Sequence, residues 1–235
     1  MSSEELSIEE KESNFKRTIK TFVLRQGRMT DAQKSNFEEL SKIYCVPFTE
    51  EYIAFEKLFG NKNPVTVEIG FGMGHATQII AMQNPDNNYL GLEVHMPGVG
   101  RLLGEIQHNS IRNLRIVQHD AVEVLEKMIA PESVSAFHVF FPDPWPKKKH
   151  HKRRFMQRPR TNLLAGKLVK GGYIYMATDW AQYGDFALEE LTATETMKNK
   201  YQGFAPHQEW RPRTKFEQKG IDAGRDIKEI FFEKQ

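Results

Sequence analysis

The sequence predicts an α/β protein: a doubly wound, mostly parallel sheet with helices on both faces and a C-terminal antiparallel hairpin. Two observations carry this. From residue 64 onward, short β-rich runs alternate with helix-length amphipathic stretches. A glycine-rich turn joins the first such run directly to the first helix, where open α/β sheets place their ligands. The expected strands are 65–69 (VTVEI), 89–93 (YLGLE), 114–118 (LRIVQ), 134–141 (VSAFHVFF) and 172–177 (GYIYMA). Helices are expected over 75–83, 97–109, 121–129, 160–170 and 180–196. Asn63-Pro64 and Asn84-Pro85 punctuate the first unit, and Lys170-Gly171-Gly172 closes a helix before a strand. Residues 201–233 differ in character. Pro206, Pro212 and Gly220 precede a final apolar run, Ile227 to Phe232, which suits a strand returning to the sheet as part of a hairpin.

The 235 residues are 39% apolar, enough for one well-packed domain over 37–235 preceded by an arm over 1–36. The N-terminus is acidic and no run of 18 apolar residues exists, so neither a secretory leader nor a spanning helix is expected and the cytoplasm is the default setting. The single cysteine, Cys45, excludes an internal disulfide and a thiolate zinc cluster, and it reads as a small buried hydrophobe. The histidines lie on separate elements without paired spacing, so no metal is expected.

A net charge of +2 hides a strong asymmetry. Residues 1–12 hold five Glu against one Lys, whereas 13–36 hold six basic groups against Asp31. The split suggests that 1–36 is mobile in the free protein. In the segment 146–160, Lys147, Lys148, Lys149, Lys152, Arg153, Arg154, Arg158 and Arg160 meet no acid, and His150 and His151 add charge below neutral pH. Such density needs water or a polyanion around it, and contact with nucleic-acid phosphates follows.

Three acids lie at the ends of successive strands. Glu68 precedes the turn Gly70-Phe71-Gly72-Met73-Gly74, whose G-x-G-x-G spacing departs from the dinucleotide pattern. A pyrophosphate would be repelled by the Glu68 carboxylate, whereas the sulfonium and ammonium of S-adenosylmethionine would be attracted. That charge argument disfavours a nicotinamide-dependent oxidoreductase. Glu93 closes the second strand, where a carboxylate can accept from both ribose hydroxyls. Asp120 follows the third strand and can accept from an adenine amino group or cap the next helix. The fourth strand ends in Phe140-Phe141-Pro142-Asp143-Pro144-Trp145-Pro146, a rigid turn rich in acceptors and poor in donors, with an aromatic face. Acceptors suited to a base therefore adjoin cations suited to phosphates.

These segments resemble the bacterial tRNA (guanine-N7-)-methyltransferases, a family of class I S-adenosylmethionine-dependent methyltransferases. The matching stretches are VEIGFGMGHATQ (67–78), GLEVHMPGVG (91–100), the AVEVL stretch after Asp120, FPDPWPKKKHHKRR (141–154), ATDW (177–180) and RPRTKFEQKG (211–220), with FVLRQGRMT (22–30) resembling the family's N-terminal arm. The resemblance implies methylation of guanine 46 in the tRNA variable loop. It implies cofactor contacts from Glu68, Glu93, Asp120 and Asp143, around the turn that holds Gly70, Gly72 and Gly74. It implies tRNA contacts from Lys147, from the 149–154 stretch (Lys149, His150, His151, Lys152, Arg153 and Arg154), from Asp179 and from Thr214, Lys215, Phe216 and Glu217. AGRDIKEIFF (223–232) departs from the Gly-His-Gly type of turn expected there. No obligatory protein partner is evident.

Guanine N7 carries an in-plane lone pair and no proton, so attack on a methyl sulfonium needs no general base. Asp143 is expected to orient the base and stabilise its developing positive charge, with Asp179 or Glu217 as a further acceptor. Asp179 or Thr178 can equally cap the helix that follows. Trp145 or Phe216 can stack on a swung-out base, and Phe216 can equally be a core aromatic. The Pro-Asp-Pro-Trp turn would also suit an exocyclic-amine target; the family resemblance selects N7.

Overall fold

The structure is a computed structural model describing residues 19–23 and 27–235, with the side chains of Lys215 and Phe216 also outside the described set. Most of the expected arm over 1–36 therefore lies outside the described residues, although helix α1 (Asp31–Tyr44) begins within it. A second short helix, α2 (Phe55–Phe59), precedes the sheet. Then follow β1 (Val65–Ile69), α3 (His75–Gln83), β2 (Asn88–Leu92), α4 (Met96–His108), β3 (Leu114–Val117), α5 (Ala121–Lys127) and β4 (Val134–Phe140). A 3₁₀ turn (Lys148–Arg153) leads into α6 (Arg160–Lys167), β5 (Leu168–Thr178), α7 (Ala181–Thr192), β6 (Met197–Asn199), α8 (Lys215–Asp222) and β7 (Lys228–Lys234).

The seven strands are ordered β3-β2-β1-β4-β5-β7-β6. β1 to β5 run parallel, while β7 is antiparallel to both β5 and β6. The expected terminal hairpin is thus β6 and β7, with β7 inserted between its hairpin partner and β5. β6 falls just beyond the end of the long helix expected over 180–196, and α8 lies where only turns are expected. Alternation along the strands builds two cores. Val65, Val67, Leu90 and Leu92 face α5, α6 and α7, whereas Tyr89, Leu114 and Ile116 face α3 and α4.

Helix α1 is set by a capping box: the Thr30 hydroxyl accepts from the Gln33 amide at 3.2 Å, and the Gln33 side chain accepts from the Thr30 amide at 2.9 Å. It packs on α4, where the Asn36 side chain donates to the Gly100 carbonyl. Helix α4 is pressed in turn against the glycine turn after β1. A Cβ built on Gly98 would lie 1.9 Å from the Gly72 carbonyl oxygen.

The strand order reverses between β1 and β4, which opens a crevice at their carboxyl ends. Gly98→Ala should displace the turn beside this crevice and lower the thermal midpoint. Gly166→Ala, on α6 with open space around it, should be neutral or stabilising by about 0.5–1 kcal/mol. Equal midpoints for the two variants would show that the α4 contact does not shape the turn.

Candidate active site

The crevice holds an open cavity of about 220 Å³ lined by Thr21, Phe22, Gly70, Glu93, Phe141 and Asp143, with Ile69, Leu92, Val139 and Phe155 on its apolar wall. It lies against the ends of β1, β2 and β4, beside the turn that enters α5.

The glycine turn is built by backbone freedom. Gly70, Gly72 and Gly74 have φ of 71°, 58° and 71°, a region that side chains with a Cβ rarely enter. This coil turns Gly72 toward β2, and its amide donates to Glu93 Oε2 at 2.7 Å. Glu93 Oε1 accepts from the Val94 and His95 amides at 2.7 and 2.9 Å, so the carboxylate is fully oriented by backbone. Glu93 is buried and lines the cavity.

Glu68 sits elsewhere. Strand alternation sends Val67 and Ile69 to one face and Glu68 to the other, beneath α3 beside Thr77. It is 4% exposed and does not line the cavity. Burial pushes its carboxyl up to about 8, the Thr77 hydroxyl partly offsets this, and the Glu93 charge adds to it. Asp120 is also buried just outside the cavity lining, which passes through its neighbours His119 and Ala121. Its Oδ1 accepts from the Val122 amide at 2.9 Å as the N-cap of α5. Burial raises its pKa against that hydrogen bond.

The loop after β4 presents Asp143 exposed on the cavity wall. Phe141 and Trp145, at either side of the Pro-Asp-Pro core, take φ of 51° and 46°. The Phe141 amide donates to the Ala177 carbonyl at 2.8 Å, which ties the loop to the end of β5. The Trp145 indole N–H donates to the Thr21 carbonyl at 3.1 Å, and Arg153 lies over the same ring at 4.9 Å. A segment before α1 therefore closes one wall of the cavity, a role for Thr21 and Phe22 that sequence reading missed. No motif signals a backbone acceptor.

The basic segment is not one uniform surface. Lys147, Lys148, Lys149 and Lys152 are exposed, and neither they nor Arg153 pair with a carboxylate among the described residues. His150 packs edge-on against Trp145. Desolvation, then the surrounding cations, hold its imidazole below the usual range, which limits the charge it adds. His151 is half-buried. Three cations expected to meet phosphates are engaged within the fold. Arg158 pairs with Glu190 at 3.1 Å, Arg160 donates to the carbonyls of Phe155 and Arg154, and Arg154 is 2% exposed.

Asp179 does not cap α7. The N-cap residue is Trp180, whose amide donates to the Thr178 hydroxyl, while Asp179 pairs with Arg225 at 2.5 Å. Arg225 belongs to the divergent turn near the C-terminus. In the 214–217 segment, Thr214 caps α8 by accepting from the Glu217 amide at 3.1 Å. The expected contacts of Lys215 and Phe216 lie outside the described side chains.

Glu217 points inward: it is 1% exposed and takes a two-point pair from Arg211 at 2.7 and 2.7 Å. As it stands, its carboxylate is spent on Arg211 and is not offered to a substrate. Arg211 also binds Glu229 at 2.5 Å and lies over the Phe140 and Phe141 rings. Carboxylates buried together require a cation. Among the described residues His207, Glu217 and Glu229 form a cluster with metal-like spacing, and the Arg211 guanidinium bonds to all three.

A family model described as a putative methyltransferase matches residues 62–230. The chain is 45% identical over 226 residues to the tRNA (guanine-N(7)-)-methyltransferase of Methylobacillus flagellatus, covering 96% of this chain and 95% of that one. The protein of the same name from Nitrosospira multiformis is 44% identical over 219 residues, covering 93% and 96%. Among solved structures, the 16S rRNA methyltransferase KamB matches with a TM-score of 0.56 at 14% identity, covering 79% of this chain and 95% of that one. The antibiotic-resistance methyltransferase Kmr matches with a TM-score of 0.55 at 13% identity, covering 80% and 94%. These structural likenesses bear on the fold alone. Identity near 45% across almost the full length of both chains carries the family, and the chain belongs to the tRNA (guanine-N7-)-methyltransferases.

Proposed function

We propose that this protein transfers a methyl group from S-adenosylmethionine to N7 of guanine 46 in the variable loop of tRNA, in the cytoplasm. The observation that carries the reading is a single cavity walled by Glu93 and Asp143, with the Asp143 loop running straight into a basic turn whose lysines are exposed. Among the described residues no helix is long and apolar enough to cross a membrane.

The residues fit the cofactor. An apolar wall of Ile69, Leu92, Val139 and Phe155 suits a flat heterocycle, and the preset Glu93 carboxylate suits ribose hydroxyls. Asp120 would lie near the adenine edge, although its cap on α5 leaves one oxygen for that purpose. Glu68 would act from beneath the glycine turn, through its charge. When bound, S-adenosylmethionine supplies an electrophilic methyl group activated by the adjacent positive sulfur.

The protein's own residues orient, neutralise and exclude. Asp143 would accept from guanine N1–H and N2–H and offset the positive charge that grows on the ring as N7 is alkylated. Asp179, held by Arg225 at the adjoining end of β5, would be a second acceptor. No side chain has to remove a proton, because N7 has none. Lys147, Lys149, Lys152 and Arg153 would grip phosphates around the target nucleotide, which must leave its stack to reach the cavity. Thr21 and Phe22, from the segment before α1, would close over the cofactor.

Unmodified tRNA transcript incubated with labelled methyl donor should yield 7-methylguanosine on nucleoside digestion, and a transcript with adenine at position 46 should yield none. An N2-methylguanosine or methyladenosine product would contradict the reading.

Glu68 adds a proton-linked prediction. With its carboxyl raised from 4.5 to about 8, the folded chain holds a proton that the unfolded chain has released. The free protein should therefore lose stability as pH rises through that window. A cationic ligand above it favours the carboxylate, so binding should release a proton near pH 7 and tighten as pH rises toward 8. Calorimetry in buffers of differing ionisation enthalpy should show this release in the wild type and not in Glu68→Gln. A wild-type enthalpy independent of buffer would place the ligand's charge away from Glu68.

A further inference from the structure

Arg154 is the innermost cation of the basic segment, and its contacts lead to the active-site loop. Its Nε donates to the Pro144 carbonyl at 2.9 Å, one residue beyond Asp143. Its guanidinium lies 5.1 Å from the Tyr183 ring and 4.9 Å from the Phe186 ring, both on α7. Tyr183 is itself fixed, accepting from the Met156 amide at 3.0 Å. The Arg154 carbonyl accepts from Gln157 and Arg160 at 2.7 and 2.5 Å, so both ends of the residue are held.

The loop needs such a hold. Pro142, Pro144 and Pro146 remove three backbone donors, so the loop can be fixed chiefly through its carbonyls and side chains. Phe141 and Trp145 keep left-handed backbone angles that persist only where surrounding contacts enforce them. The Phe141 amide anchors the loop at its start, and Arg154 anchors it just past Asp143. Stability alone is a poor reason for this arrangement. Arg154 Nη2 is buried without a partner among the described residues, and an apolar side chain would pack over the two rings at a smaller desolvation cost.

We propose that Arg154 is a positioning residue for methyl transfer, pinning the Pro144–Trp145 peptide, one residue beyond Asp143, so that Asp143 is aimed into the cavity, while its neighbours Lys152 and Arg153 face the RNA. This rests on the methyltransferase reading and departs from the phosphate contact that resemblance implies for Arg154. It also makes the RNA-gripping turn and the catalytic loop one mechanical unit, because Arg154 is the residue that ends the turn.

The test compares Arg154→Lys and Arg154→Ala with the double variant Lys152→Ala/Arg153→Ala, measuring tRNA affinity across salt concentrations and single-turnover methyl transfer at saturating tRNA. Arg154→Lys keeps the charge but cannot reproduce the flat guanidinium that lies over two rings while its Nε reaches Pro144. It should bind tRNA within about twofold of wild type with an unchanged salt slope, yet lose roughly 10–100-fold in rate through a misplaced Asp143. Arg154→Ala should lose at least as much rate. The double variant should bind tRNA more weakly with a shallower salt slope. If Arg154→Ala fails to fold, Arg154→Lys and Phe186→Leu, which removes one stacking face, carry the same rate readout. A wild-type rate in the folded Arg154 variants would overturn the proposal, and so would a shallower salt slope with an unchanged rate at saturation. A wild-type protein that methylates no tRNA would instead overturn the methyltransferase reading itself.

Discussion

A loop in which three prolines remove half of the backbone donors is held largely from outside, and the proposed active site depends on how that is done between Phe141 and Pro146. Its start is tied to β5, its middle is reached by the Arg154 guanidinium, and its tryptophan reaches the strap before α1. Each tie comes from a different part of the chain. The loop is therefore where sheet, basic turn and N-terminal segment meet, and Asp143 takes its place from all three.

Charge is arranged in layers around that loop. Exposed lysines form the outer rim, Glu93 and Asp143 the cavity wall, and Glu68 a buried acid behind the glycine turn. Further along, the Arg211 guanidinium gathers Glu217 and Glu229 and lies against the rings of Phe140 and Phe141. A buried pair of this kind adds little net stability over an apolar replacement, yet removal of one partner leaves an unpaired charge, at a cost of about 3–5 kcal/mol. Through these contacts the C-terminal segment, and the N-terminus of α8 with it, is tied to the two rings at the start of the Pro-Asp-Pro-Trp loop.

Much of this was legible in the amino-acid order. The alternation of runs from Val65 onward, the glycine turn and the Pro-Asp-Pro-Trp element were each read at or near the positions where the structure has them. Helix α1 was missed although its signal was present, because Thr30 and Gln33 have the capping-box spacing. Glu68 behind the cavity could have been read from strand parity, since Val67 and Ile69 are the core-facing neighbours. The direction of each side chain in the basic run could not. Arg153 and Arg154 are adjacent and chemically identical, and only the 3₁₀ turn and the aromatic rings of α7 send one outward and the other in. Glu217 escaped for the same reason: its partner lies six residues away across a turn that pattern alone does not reveal.

The central claim is that Asp143 acts on the bound base while affinity for RNA resides in the rim. It is tested most directly by Asp143→Ala, with tRNA affinity and single-turnover methyl transfer at saturating tRNA measured on one preparation. The account predicts tRNA affinity within about threefold of wild type and a rate lower by roughly 100-fold or more, the scale set by loss of one preorganised electrostatic contact. Weakened tRNA binding with a normal rate once bound would contradict it.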